Sequence, residues 1–226
     1  MSNPWLDIPL GDYEGHMAAA QVGQAGALAD LFAEALAFRR PASVAVLGVA
    51  GGNGLDRIDS AITRRVVGVD INPLYLDAVR RRHASLPGLE LHAADLAEQS
   101  IPLPPVQLVH AALILEHAGT GRCLDNALSL LAEDGAFSAV LQLPSRTEPT
   151  VGNTGFASLQ PLASHFSFVD PALLCALLRR RGLQSVHETR RALPAGKAFW
   201  MGIFVRNRLE KGRSAISPNR ARKTRV

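Results

Sequence analysis

Residues 43–70 read SVAVLGVAGGNGLDRIDSAITRRVVGVD, two valine-rich runs on either side of a glycine-rich turn. SVAVLGVA (43–50) is short and apolar, with Pro41 before it and glycines after it, the pattern of a buried strand. GLDRIDSAI (54–62) predicts a helix and VVGVD (66–70) a second buried strand. Strand, turn, helix and strand in this order make a βαβ unit, the crossover that parallel strands require.

The alternation continues toward the C-terminus. PLYLDAVRRRHASL (73–86) opens with proline at a helix start, where the missing N–H costs nothing. LELHAAD (89–95) and VQLVHAALIL (106–115) read as strands, CLDNALSLLAEDG (123–135) as an amphipathic helix closed by Gly135, and AFSAVLQLP (136–144) as a fifth strand. DPALLCALLRRRG (170–182) is a further helix. QSVHETRRAL (184–193) and KAFWMGIFVR (197–206) are strands separated only by PAG, too short for a parallel crossover, so they predict an antiparallel hairpin. Upstream, residues 14–39 are rich in Ala and Leu at helical spacing, one helix or a helix pair ended by Pro41. The whole predicts an α/β, Rossmann-like fold: a seven-stranded, mostly parallel sheet with helices on both faces and a C-terminal antiparallel β-hairpin. Residues 1–40 are expected to pack over the ligand site, 41–206 to form the main domain, and 207–226 to be a basic, disordered tail.

Composition narrows the class. The 226 residues are 47% apolar and 19% charged, enough for a full core. No apolar run reaches the ~18 residues of a membrane span, and the start carries neither a basic nor an apolar leader region, so a cytoplasmic location is expected. Cys123 and Cys175 stand far apart and the seven histidines are scattered, so no metal site is predicted. Eight of the 24 Lys and Arg residues fall between 206 and 226, beside a single acid, Glu210. That leaves a mildly acidic body and a basic tail, which is a solvated terminus or a contact for RNA or an acidic partner.

The loop LGVAGGNG (47–54) lets the backbone turn sharply and lets a ligand approach, beside a predicted helix N-terminus with free N–H groups. It does not fit GxGxxG, because Ala50 and Asn53 stand where glycines are required, and no Walker lysine follows. Asp70 ends the second predicted strand, 22 residues after Gly48, where a carboxylate accepts from ribose hydroxyls in Rossmann-type folds. Asp95 ends the third, placed to accept from an adenine amine. Either acid alone is equally a helix N-cap; the loop and both acids together point to a nucleoside ligand.

LGVAGGNG, VVGVDIN, HAADL, LILEHAG and the terminal hairpin together resemble the class I S-adenosylmethionine-dependent methyltransferases, in particular the small bacterial type 11/12 group, over about residues 40–205. The resemblance implies S-adenosylmethionine as cofactor, with Gly48, Ala50, Gly51, Gly52, Asp70, Ile71, Asp95 and Leu96 around it. It also implies methyl transfer to an oxygen or nitrogen of a small-molecule acceptor. The chain departs from the family at Val46, where an acid usually anchors the methionine ammonium indirectly, and at Ala50, which suits the loop if its φ is negative. Tyr13, His16 and Met17 share a helix face at i, i+3 and i+4, and either meet that ammonium or pack on the core. His117 and His16 are the candidate general bases, with His165 a third. ALILEH replaces the Asn/Asp-Pro-Pro-aromatic motif of amino-group DNA methyltransferases, and LQLPS (141–145) lacks the Pro-Cys of cytosine C5 enzymes. The irregular stretch 145–169 is expected to cap a small-molecule pocket. Competing readings are an RNA or protein methyltransferase using the tail, an NAD-dependent oxidoreductase, and a non-catalytic cofactor-binding module.

Overall fold

The computed structural model describes residues 3–145 and 154–207. Its strands are β1 (Ser43–Leu47), β2 (Arg65–Asp70), β3 (Leu89–Ala93), β4 (Val106–Ala112), β5 (Leu131–Leu143), β6 (Leu183–Ala192) and β7 (Ala198–Arg206). They form one seven-stranded sheet in the order β3-β2-β1-β4-β5-β7-β6. β1 to β5 pair in parallel, and β7 runs antiparallel to both β5 and β6. The hairpin turns at Pro194–Gly196, the PAG of the sequence.

The helices are α1 (Leu10–Ala18), α2 (Gln24–Arg39), α3 (Pro73–Arg82), α4 (Leu115–Ala118), α5 (Arg122–Ser129), α6 (Leu162–His165) and α7 (Pro171–Arg180). Alternate strand residues feed two cores. Val44, Val46 and Val66 share a cluster with Leu31 and Phe32 of α2 and Leu76 of α3. Ala45, Leu47, Val67 and Val69 share another with Leu124 of α5 and Leu174 and Leu178 of α7. Parallel strands covered on both faces need apolar residues at every position, which is why β1 and β2 read as unbroken runs. Each buried Val or Leu contributes roughly 1.5–3 kcal/mol.

Two predicted elements differ, and a third resolves between its two expected forms. GLDRIDSAI is no helix: it holds one 3-10 turn, Leu55–Arg57, after Gly54 at φ 85°. Asp59 then takes the backbone elsewhere, its side chain accepting from Ala61 N–H and its carbonyl from Ile62 and Thr63 N–H. Such local side-chain bonds compete with helix formation. The helix predicted over 123–135 stops at Ser129, because Leu131 pairs with Val106 and opens β5; Gly135 lies within that strand and caps nothing. Residues 14–39 form parts of two helices, split at Gly23 with φ 61°, where a Cβ would strike Pro194.

Candidate functional site

The carboxyl ends of β1 to β5 open into one pocket. Its floor along β1–β3 is tied by backbone bonds. Asp70 Oδ2 accepts from Ala50 N–H (2.8 Å) and Oδ1 from Asn72 N–H (2.9 Å). Gly48 and Val49 N–H both donate to the Val69 carbonyl, and Gly52 N–H to that of Val49. Ala50 sits at φ 47°, so the negative φ expected of it is not adopted; the left-handed turn brings its N–H to Asp70. The predicted helix N-terminus is reduced to one turn, and these loop amides bond within the chain. Asp95 lies two residues beyond β3, its Oδ1 accepting from Ala97 N–H at 2.9 Å.

The other side is walled by rings. Trp5 packs edge-on against Tyr13 and His117, with centroids 5.4 and 5.0 Å apart, and His117 packs edge-on against Phe166 at 5.2 Å. The segment bearing Trp5 is pinned to the sheet rim. Asn72 Nδ2 donates to the Trp5 carbonyl (2.9 Å) and the Tyr75 hydroxyl to that of Ile8 (2.9 Å). From the opposite direction, Ser167 N–H donates to the Glu116 carbonyl at 2.8 Å, holding the Phe166 segment down.

Among the residues singled out from sequence, Gly48, Ala50, Asp70, Ile71, Asp95, Leu96, Tyr13, His16, Met17 and His117 all line this pocket. Gly51 and Gly52 are not among the lining residues. A Cβ on Gly51 would meet Glu14 and Arg82, and one on Gly52 would meet His83. His165 stands outside the pocket as well, its Nδ1 near the Pro161 carbonyl. Within 145–169, residues 146–153 lie outside the described residues, while Leu159, Leu162 and Phe166 cover the pocket. Sequence reading missed Trp5, Gln24, Asn72, Tyr75 and Gln142. The tryptophan in a proline-flanked leader was the one available signal, since a lone Trp outside any strand or helix needs a place to bury its ring.

Electrostatics separate these groups. Burial raises the Asp70 carboxyl, against the lowering effect of its backbone donors at Asn72, Ala50 and Ile71. Burial lowers His117 to about 4, helped by His165, so its ring is neutral at neutral pH; its buried Nδ1 has no partner among the described residues. His16 is lowered by burial and by Lys197, and its Nδ1 lies 2.7 Å from Thr154 Oγ1. Glu116 is 1% exposed; its Oε1 accepts from Gln142 N–H at 2.7 Å and Oε2 has no partner among the described residues. Burial pushes it up to about 7, despite that backbone bond. No cluster of His, Cys, Asp or Glu suited to a metal, and no helix long and apolar enough to cross a membrane, occurs among the described residues.

No protein-family model matches the chain, and no curated protein does. Solved structures do match. The N-methyltransferase NodS from Bradyrhizobium japonicum WM9, in complex with S-adenosyl-L-homocysteine, aligns at TM-score 0.64 and 14% identity, over 91% of this chain and 99% of its own. The [4+2]-cyclase SpnF aligns at 0.62 and 11% identity, over 83% and 84%. The magnesium protoporphyrin IX methyltransferase ChlM from Synechocystis PCC 6803, with bound S-adenosylhomocysteine, aligns at 0.61 and 14%, over 83% and 85%. Identities at this level establish architecture. The chain has the class I methyltransferase fold, a Rossmann-like sheet ending in the antiparallel β5-β7-β6 arrangement. Its likeness to the type 11/12 group rests on the motifs quoted above.

Proposed function

We propose that the chain is an S-adenosylmethionine-dependent methyltransferase acting on an oxygen or nitrogen of a small molecule. The observation that carries this reading is Asp70 at the end of β2 and Asp95 just beyond the adjacent β3, beside Gly48 in one pocket on the class I fold. The lining suits the cofactor's chemistry: a carboxylate has about four acceptor sites, and the backbone N–H groups of Ala50, Ile71 and Asn72 leave one on Asp70 for a ribose hydroxyl. Asp95 keeps Oδ2 for an adenine amine, Ile71 and Leu96 supply apolar contact, and Tyr13 and Met17 close the site above. Gly51 and Gly52 serve by shaping the loop. When bound, S-adenosylmethionine supplies a methyl group on a sulfonium, activated for attack by oxygen or nitrogen.

His117 accepts a hydrogen bond from the acceptor's O–H or N–H and so orients the nucleophile: its ring is neutral at neutral pH, burial makes it a weak base, and the proton passes to solvent once the methyl has transferred. His16, bonded to Thr154, positions the neighbouring wall. Orientation of the two reactants supplies most of the acceleration in a transfer of this kind. Calorimetry tests the reading: S-adenosylhomocysteine should bind saturably in the micromolar range, about 7–8 kcal/mol, with NAD inert. Tight NAD binding without response to the methyl donor refutes it. The second reading, RNA or protein methylation, draws on the basic residues near the C-terminus, of which those after Asn207 lie outside the described residues. A chain ending at Asn207 keeps its turnover under the small-molecule reading, whereas RNA binding that is salt-sensitive and lost on truncation favours the second.

A further inference from the structure

The strand order divides the pocket chemically. The charged lining residues are Asp70, at the end of β2, and Asp95, beyond β3; no Lys or Arg lines the pocket among the described residues. On the β4–β5 side Ile114, Leu159, Leu162 and Phe166 lie around His117, and the polar groups there, Gln142 and Gln24, are bonded to each other. Three rings meet there nearly at right angles, Trp5 to His117 at 88° and His117 to Phe166 at 83°. Rings so disposed offer both faces and edges to a flat guest, the offset and edge-to-face contacts aromatic groups prefer. Their positions are built in. Trp5 is fixed by Asn72 and Phe166 by the neighbouring Ser167–Glu116 bond, both to the sheet rim.

From this we infer that the part of the pocket walled by Trp5, His117 and Phe166 receives the methyl acceptor, and that the acceptor is a neutral, ring-bearing molecule whose O–H or N–H donates to the His117 imidazole. The inference deepens the methyltransferase reading and rests on it for the word acceptor; the binding preference itself does not. An anionic guest would find no cation among the described lining residues, and burying an unpaired charge is strongly unfavourable. A cationic guest would find no acid among the described lining residues on the β4–β5 side and, in the loaded enzyme, a sulfonium beside it. A neutral guest lacking a donor would leave the imidazole nitrogens without a partner. Buried polar groups are normally hydrogen-bonded; His117 Nδ1 has no partner among the described residues but is itself closed to solvent, so the nitrogen left for a guest is Nε2.

Four naphthalene probes of one ring size test this on the full chain by calorimetry, with and without S-adenosylhomocysteine. They are 2-naphthol, 2-naphthoate, 2-naphthylmethylammonium and 2-methoxynaphthalene. The expected result is that 2-naphthol binds at least tenfold more tightly than each of the others, and that His117→Phe removes its advantage over 2-methoxynaphthalene. Equal or tighter binding of the anion or the cation overturns the inference, as does failure of all four to bind. Because the wild-type comparison stands alone, a misfolded variant does not rescue it. The two readings also fail separately: a chain that prefers 2-naphthol but ignores S-adenosylhomocysteine keeps the compartment and loses the methyltransferase, and the reverse outcome does the opposite.

Discussion

The two rims of the pocket are built by opposite means. Along β1–β3 the polar groups are bonded to the chain before any ligand arrives: Asp70 to Ala50 and Asn72, Asp95 to Ala97, Gly48 and Val49 to Val69. Along β4–β5, ring packing dominates, and two buried polar atoms, Glu116 Oε2 and His117 Nδ1, have no partner among the described residues. Left-handed residues mark both sides, Ala50 on the first and Leu113, at φ 58°, on the second. A rim with its bonds complete holds a fixed shape for a fixed ligand. A rim with open valences is where a proton or a reacting group finds use.

Removing the keystone of the bonded rim has the largest expected effect. Asp70→Ala takes the partner from the backbone donors of Ala50, Ile71 and Asn72, each costing roughly 1–3 kcal/mol, so urea unfolding should show a loss of at least about 2 kcal/mol together with lost S-adenosylhomocysteine binding. Asp95→Ala, half-buried and bonded to one N–H through its side chain, should weaken binding while costing less than about 1 kcal/mol in stability. Equal losses for both variants would erase the distinction between a structural acid and a free one.

On the unbonded rim the signature is pH. Glu116 is raised from 4.5 to about 7, so the folded chain holds a proton there that the unfolded chain has lost. Its contribution is complete below about pH 4.5 and is lost as the pH rises through 7. Glu116→Gln should therefore gain on the wild-type chain by up to about 1.4 kcal/mol per pH unit across that window, read from denaturant midpoints. A flat difference would mean that Glu116 is ionised throughout. His117 moves the other way: lowered from 6.5 to about 4, it stabilises fully above 6.5 and loses that contribution as the pH falls through 4. Turnover should keep its acid limb near pH 4.

How much of this was legible follows the same division. The bonded rim was largely readable, since Asp70 and Asp95 are fixed by strand periodicity and by spacing from Gly48. The helix expected after the loop was not, because Asp59 closes its own turn and Gly54 adopts a left-handed φ, both tertiary outcomes of a pattern that looks helical. The ring-walled rim was half readable. His117, His16 and Tyr13 stood out as residue types, but Trp5 reaches His117 across more than a hundred residues, and no local spacing encodes that contact. Glu116 read as part of a motif, while its burial depends on Gln142 from β5.

The smallest effect concerns Ala50. A left-handed φ costs a non-glycine residue roughly 1–2 kcal/mol, and glycine gives back about 0.4–1 through the unfolded chain. Ala50→Gly should therefore raise stability by about 0.5–1 kcal/mol with S-adenosylhomocysteine affinity unchanged within twofold. A loss of affinity would show that the alanine methyl itself touches the ligand.

The inward-turned amides of residues 48–52 also decide what the pocket refuses. Phosphate groups settle where free N–H groups and a helix dipole converge. Here Gly48, Val49, Ala50 and Gly52 give their hydrogens to chain oxygens, and the following helix is a single turn. Asp70 and Asp95 add negative charge to the same ledge. Adenine nucleotides carry the same base and sugar as an adenosyl cofactor, yet their polyphosphate would face repulsion, with the amides of Gly48, Val49, Ala50 and Gly52 already engaged. Under the methyltransferase reading, the backbone would thus sort nucleosides by charge and turn away the commonest competitors of such a cofactor.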